Sequence, residues 1–250
     1  MNIRQVPADP NNYSKTKSTK QGIVFHWIVG ELSSADRTFK DPDRKASAHY
    51  GVGSRGAVHQ YVQDEYIAWH AGNSSANIRY IGIEHAGGQL KDGKRKKPTT
   101  TCHETSIELC VNLCVKHGFT LKRGVNAWLH KEISDSPTSC PGTLDVDYIV
   151  QQVNKRLNFI SKFMQKLQDA KNWNNKIKNK KLLKDRTLLY NWGNYSKLIN
   201  KIDDIYMGEL IIKLHELSQF IRSRPGLKNN ERTEIVMERF AAYIKKSLGV

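Results

Sequence analysis

Hydrophobic residues follow two different spacings along this chain, and the spacing changes near residue 145. Before that point they form short runs, of which the clearest is Gly-Ile-Val-Phe-His-Trp-Ile-Val-Gly over 22–30. An apolar run bounded by glycines is typical of a buried strand. Because side chains alternate along a strand, Val24, His26 and Ile28 share one face. The pattern therefore places an imidazole among aliphatic side chains, where an unpaired polar ring is costly.

Several shorter elements are predicted between this strand and residue 145. Glycines at positions 53 and 56 suit the positive φ angles of a hairpin turn. Thr101 and Glu104 match a capping box at the start of a helix, and Gly118 marks its end. The predictions are a hairpin over 47–62, a strand over 79–84, a helix over 101–116, a strand over 126–130, an extended arm over 1–21 and a loop over 31–47.

Beyond residue 145 the apolar residues recur at three- and four-residue steps, which predicts helices. A stretch rich in lysine and asparagine, 171–184, is predicted to be a linker, and two further amphipathic helices follow it. The sequence thus predicts an α/β domain over 1–158 and a small all-α module over 159–250.

Basic residues are concentrated in the second part of the chain. The net charge of the chain is +16. Residues 1–150 carry 19 basic and 15 acidic side chains, whereas residues 151–250 carry 21 basic and 9 acidic ones. A local excess of +12 predicts attraction to a polyanion such as nucleic acid, anionic lipid or an anionic cell-wall polymer. The alternative is that these lysines form only the solvated faces of packed helices.

Composition excludes some classes of protein. No apolar run approaches the roughly 20 residues that a transmembrane helix needs, and the N-terminus lacks the apolar core of a secretory signal. Of the four cysteines, Cys110 and Cys114 lie four apart in an apolar helical pattern and are predicted to be small core residues. Cys140 differs because it lies in a polar loop.

The candidate chemistry is centred on this loop, which runs from a histidine to a cysteine. His130 precedes Cys140 by ten positions, with short polar residues and Pro137 between them, so an imidazole and a thiolate can converge. His26 is the obvious third donor, although a core histidine satisfied by hydrogen bonds is the alternative. Two histidines and a cysteine leave a fourth position open, which is the pattern of a catalytic zinc site.

Two further positions are candidates for catalysis and substrate binding. Glu84 ends an apolar strand, and Gly82 clears space on the same face, so Glu84 is the best candidate for a general base. A surface carboxylate is the alternative. Trp69 and His70 lie among small residues and are predicted to wall a groove; otherwise Trp69 is a core residue and His70 a solvated one.

Five short motifs occur in an order that resembles one family of enzymes, the zinc-dependent type-2 N-acetylmuramoyl-L-alanine amidases. Phage endolysins and peptidoglycan recognition proteins are similar in fold. The resemblance covers roughly residues 20–150. The motifs are Gly-Ile-Val-Phe-His (22–26), Ser-Ala-His-Tyr (47–50), Ala-Trp-His-Ala-Gly (68–72), Ile-Gly-Ile-Glu (81–84) and His-x9-Cys-Pro (130–141).

The resemblance implies a mixed, mostly parallel sheet flanked by helices, with Zn²⁺ in a groove. It implies hydrolysis by zinc-activated water of the amide between N-acetylmuramic acid and L-alanine in bacterial peptidoglycan. Many members carry lysine where this chain has Thr138, and a hydroxyl stabilises negative charge less than an ammonium does. The implied roles are metal ligands for His26, His130 and Cys140, catalysis for Glu84 and Thr138, and substrate binding for His49, Trp69 and His70.

The resemblance also implies a biological context. Without a secretory signal, a phage endolysin that stays in the host cytoplasm until it is released to the cell wall is the natural interpretation. A recognition module that binds peptidoglycan without cleaving it is the alternative, but members that have lost catalysis lack the cysteine ligand. Nucleic-acid binding is disfavoured because no recognisable motif accompanies the basic charge.

Overall fold

A mixed β-sheet organises the described part of the chain, residues 1–89 and 95–161 of a computed structural model. The predicted architecture, a mixed sheet flanked by helices, is confirmed. The compact unit that contains it runs from Met1 to Phe159. The predicted linker and nearly all of the predicted all-α module lie outside the described residues. None of the helices in the described ranges has the length and apolarity that a membrane crossing requires.

The strands are short except for β3 and β7 at the centre of the sheet. The strands are β1 (Ile3–Gln5), β2 (Tyr13–Ser14), β3 (Gly22–Val29), β4 (Tyr50–Val52), β5 (Val58–Gln60), β6 (Ile67–Ala68), β7 (Tyr80–Gln89), β8 (Arg95–Lys96) and β9 (Ala127–Leu129). The helices are α1 (Leu32–Lys40), α2 (Ser74–Arg79), α3 (Thr100–His117), α4 (His130–Ile133) and α5, which covers 146–161 of the described residues; a 3₁₀ turn spans Pro10–Asn12.

The main sheet has the strand order β1-β5-β4-β7-β3-β9, and β8 pairs with β7. Strands β4, β7, β3 and β9 run parallel, so their carboxyl ends lie at one edge. Strand β3 lies inside this parallel group and is buried over Gly22–His26, which explains its nearly unbroken apolar sequence. In the register, His26 pairs with Glu84 of β7, and Phe25 pairs with Leu129 of β9.

Helix α3 supplies part of the core, and its cysteines pack as predicted. Cys110 and Cys114 are buried and unpaired, as is Cys102 on the same helix. Gly118 ends the helix in the left-handed conformation, also as predicted. The predicted cap is wrong: the Thr99 hydroxyl, two residues before Thr101, accepts the hydrogen bond from Cys102 N at 3.0 Å.

Two segments predicted to be irregular contain regular structure. The predicted loop over 31–47 includes helix α1, whose residues Leu32, Ala35 and Phe39 form a buried stripe at helical spacing. The predicted arm over 1–21 includes β1, which pairs in parallel with β5. The strand was missed because its pairing partner is distant in the sequence, and the helix because polar residues separate its apolar ones.

Candidate metal centre

Three predicted donor residues converge at the carboxyl ends of β3 and β9. One donor atom from each of His26, His130 and Cys140 lies within 4.8 Å of the other two. His26 Nδ1 is 3.9 Å from Cys140 Sγ, and the centroids of the two imidazole rings are 4.4 Å apart. Such a cluster of two nitrogens and one sulfur can hold a single metal ion.

The parallel register explains why the two imidazoles meet. Phe25 pairs with Leu129, so the residue that follows each, His26 and His130, emerges at the same level of adjacent strands. His130 is also the first residue of helix α4, which turns the chain away from the sheet. Two residues that are 104 positions apart in the sequence are therefore held side by side by one strand pair.

The cysteine loop is attached to both elements that carry the histidines, strand β3 and helix α4. Lys131 N donates to Cys140 O at 2.9 Å, and Trp27 N donates to Cys140 Sγ at 3.3 Å. Gly142 lies against the indole of Trp27 so closely that a Cβ at this position would be 1.8 Å from the ring. The loop therefore depends on glycine at this position to reach the sheet.

A carboxylate lies beside His26 on the neighbouring strand. Glu84 is the register partner of His26, so both side chains project from the same face of the sheet. Its Oε2 atom is buried and has no hydrogen-bond partner within the described residues. Burial raises the pKa of Glu84 to about 8. Burial, and after it the charge of the Glu84 carboxylate, raises the pKa of the Cys140 thiol. A cation at the cluster would stabilise both ionised forms.

Two more histidines lie behind His26, in the interior rather than in a groove. His70 Nδ1 is 3.1 Å from His26 Nε2, and His70 Nε2 is 3.2 Å from Tyr80 O. His49 accepts a hydrogen bond from Gly82 N at 3.0 Å. His49 has no exposed surface and His70 is 9% exposed, so both rings are buried in this structure, and their contact with substrate stays a prediction. Trp69, in contrast, is partly exposed.

His26, His130 and Cys140 fit a zinc ion, because their donor atoms are free to bind a metal. His130 Nε2 is buried without a hydrogen-bond partner in the described residues, while the ring is bonded to the backbone of Ala71. Burial lowers the pKa of His26 and of His130, so both rings are neutral and able to donate a lone pair. Two neutral imidazoles and a cysteine are the ligand types of catalytic zinc sites, which keep one position open.

The family of N-acetylmuramoyl-L-alanine amidases matches residues 16–143, slightly more than half of the chain. The chain belongs to this amidase family. The matched range contains all three donors and Glu84. No curated protein sequence is significantly similar to the amidase.

Solved structures similar to this amidase include proteins described as endolysins. A mutant endolysin from Bacillus subtilis has 24% sequence identity, a TM-score of 0.50, and coverage of 61% of this chain and 99% of its own. The catalytic domain of XlyA has 25% identity, a TM-score of 0.50 and the same coverage values. The PlyG catalytic domain has 18% identity, a TM-score of 0.50, and coverage of 62% of this chain and 94% of its own. These likenesses support the fold of the amidase.

Thr138, which stands where many related amidases carry lysine, lies within the cysteine loop and contacts the backbone of Cys140. Its hydroxyl oxygen accepts a hydrogen bond from Cys140 N at 3.2 Å, and the residue is partly exposed. Thr138 therefore helps to fix the backbone that presents the cysteine, while part of its surface faces outward.

Sequence reasoning missed one buried residue of the amidase that contacts the site. His85 Nδ1 is 2.8 Å from His26 O, and His85 Nε2 is 2.7 Å from Ser106 Oγ on helix α3. His85 follows Glu84 on β7, so it projects from the opposite face of the sheet. Its position next to a candidate base was visible in the sequence, but its partner Ser106 lies 21 residues away.

Proposed function

We propose that this amidase hydrolyses the amide bond between the lactyl group of N-acetylmuramic acid and L-alanine in bacterial peptidoglycan, with Zn²⁺ as its cofactor. The observation that carries the proposal is the convergence of His26, His130 and Cys140 beside a buried carboxylate, in a chain of this family. The three side chains would be the metal ligands.

Zn²⁺ bound by these residues would supply a Lewis acid, which lowers the pKa of a coordinated water towards about 7 and polarises the scissile carbonyl. His26 and His130 contribute nitrogen lone pairs. Burial raises the pKa of the Cys140 thiol, so that side chain holds its proton until a cation is present. Metal binding at Cys140 must therefore displace this proton.

Glu84 is the proposed general base of the reaction. Its Oε2 atom would take a proton from the attacking water and pass it to the leaving amine of L-alanine. With a pKa of about 8 the side chain is mostly protonated near neutral pH, and a nearby cation lowers this pKa into the range useful for proton transfer. Burial and metal binding together thus set the basicity of Glu84.

Thr138 and Trp69 are the proposed contacts on the substrate side, because both are partly exposed near buried site residues. The Thr138 hydroxyl would donate a hydrogen bond to the developing oxyanion, more weakly than an ammonium group. Trp69 would pack against the glycan or the stem peptide. His49 and His70 support the site from the interior.

We further propose that the protein acts as a phage endolysin, which lyses the host from inside once it reaches the wall. One of the similar structures is described as a mutant endolysin. The excess of basic residues in 151–250 fits docking on anionic wall polymers or on a lipid surface. Wall binding by the full-length chain should then weaken as salt concentration rises.

The experiment that tests the activity is digestion of purified peptidoglycan by the full-length protein. We expect new N-terminal alanine amino groups without new reducing sugar ends, loss of activity with a chelator and recovery with Zn²⁺. Glu84→Gln should abolish release, whereas Glu65→Gln, at an exposed ion pair, should not. New reducing ends, full activity in chelator, or binding to the wall without release of amines would each contradict the proposal.

A further inference from the structure

His70 occupies a position directly behind the proposed ligand His26. The two rings meet edge to face with centroids 5.1 Å apart, and His70 Nδ1 lies 3.1 Å from His26 Nε2. The other nitrogen of His70 lies 3.2 Å from the carbonyl oxygen of Tyr80. Each nitrogen of His70 therefore has one definite neighbour.

These neighbours determine which nitrogen carries the proton. A carbonyl oxygen only accepts hydrogen bonds, so His70 Nε2 must be the donor to Tyr80 O. A neutral imidazole with its proton on Nε2 has a lone pair on Nδ1. His26 Nε2 must then donate to His70 Nδ1, which leaves His26 Nδ1 without a proton. That atom is the one 3.9 Å from Cys140 Sγ.

We propose that His70 is a positioning residue that fixes the tautomer and the orientation of His26, so that the Nδ1 lone pair of His26 faces the metal. This proposal rests on the proposed zinc centre. Ligating histidines usually donate their second N–H to a carbonyl, a carboxylate or a water. In this chain a second imidazole, anchored by a backbone carbonyl, accepts that N–H.

The fold builds a specific place for the His70 ring. A Cβ at Gly82 would lie 2.4 Å from His70 Cγ, so the ring rests on the backbone of β7 where a side chain is missing. Asn77 Oδ1 accepts hydrogen bonds from His70 N at 3.0 Å and from Ala71 N at 2.8 Å. The Ala71 backbone is in turn bonded to His130. One short segment thus supports both proposed histidine ligands.

The hydrogen-bond direction can be measured on the unaltered protein. Long-range ¹H–¹⁵N correlation NMR of the metal-free, ¹⁵N-labelled full-length chain near neutral pH distinguishes the two tautomers of each histidine. We expect His26 and His70 both to carry the proton on Nε2. A proton on Nδ1 of either ring would overturn the proposal.

Two amide substitutions separate positioning from general packing. The oxygen of His70→Asn falls near the original Nδ1 and still accepts from His26, whereas the amide of His70→Gln falls near Nε2 and faces Tyr80. We expect His70→Gln to weaken zinc binding by about 10- to 100-fold in chelator competition. His70→Asn should remain within about twofold of wild type.

The control is His103→Gln, which alters a histidine of helix α3 that hydrogen-bonds to the backbone oxygen of Thr99 at 3.0 Å and has no assigned role in the site. We expect its zinc affinity to stay within about twofold of wild type. Equal losses in His70→Asn and His70→Gln, or no loss in His70→Gln, would overturn the positioning role. A wild-type chain that binds no zinc would instead contradict the proposed metal centre, and the NMR measurement would still decide the hydrogen-bond direction.

Discussion

Zinc binding should release a proton from Glu84 in addition to the one released by Cys140. In the metal-free protein burial raises the pKa of Glu84 to about 8, so about nine in ten of these side chains are protonated near pH 7. A neighbouring opposite charge lowers a carboxyl pKa by about 1 to 3 units. The resulting pKa of about 5 to 7 corresponds to release of about 0.4 to 0.9 proton from Glu84.

The measurement is isothermal titration calorimetry of the full-length chain with Zn²⁺ in buffers that differ in ionisation enthalpy, which counts released protons. Glu84→Gln removes this group and should lower the count by about 0.4 to 0.9 while zinc still binds. Glu65→Gln, at an exposed ion pair, should leave the count unchanged. A count that is the same in wild type and Glu84→Gln would refute the reasoning, because it would mean that zinc binding does not change the protonation of Glu84.

Three further predictions concern the support of the site and the core. Gly142→Ala places a Cβ 1.8 Å from the Trp27 ring, so urea unfolding should show a loss of about 1–3 kcal/mol; unchanged stability would contradict this contact. Cys140→Ser should remove the thiolate-to-metal absorption band of the cobalt-substituted protein, and a persistent band would exclude Cys140 as a ligand. Asp64 accepts hydrogen bonds from His117 at 2.8 Å, from Tyr50 and from Lys116 at 2.9 Å, and these outweigh burial and hold its pKa below the usual 3.8. The stabilisation that Asp64 contributes should therefore be present above about pH 4 and lost as pH falls. Asp64→Asn should flatten this acid dependence in thermal unfolding, and parallel curves for both proteins would contradict it.

The convergence of the donors was predictable because it depends on patterns that are local in the sequence. Strand alternation placed His26 on one face, and the polar loop between His130 and Cys140 indicated a turn back towards it. Parallel strands bring their carboxyl ends to one edge, and β3 and β9 are adjacent. Their role as zinc ligands stays a prediction.

The surroundings of the donors were not predictable, because burial and register are long-range properties. Nothing near His70 in the sequence indicates that it packs on β7 and bonds to His26 rather than facing a groove. Likewise, nothing near His117 in the sequence indicates that it hydrogen-bonds to the buried carboxylate of Asp64 at 2.8 Å. Helix α1 was missed because its three apolar residues are separated by polar ones, although their spacing is helical.

Because Gly82 has no side chain, His70 can occupy the space beside it, although the two residues are 12 positions apart in the sequence. Any larger residue at 82 would displace the imidazole at 70, since a Cβ there would lie 2.4 Å from His70 Cγ. Among relatives that share this sheet, glycine at position 82 and histidine at position 70 should therefore be inherited together. A lineage that gains a side chain on the strand should carry a smaller residue in the loop.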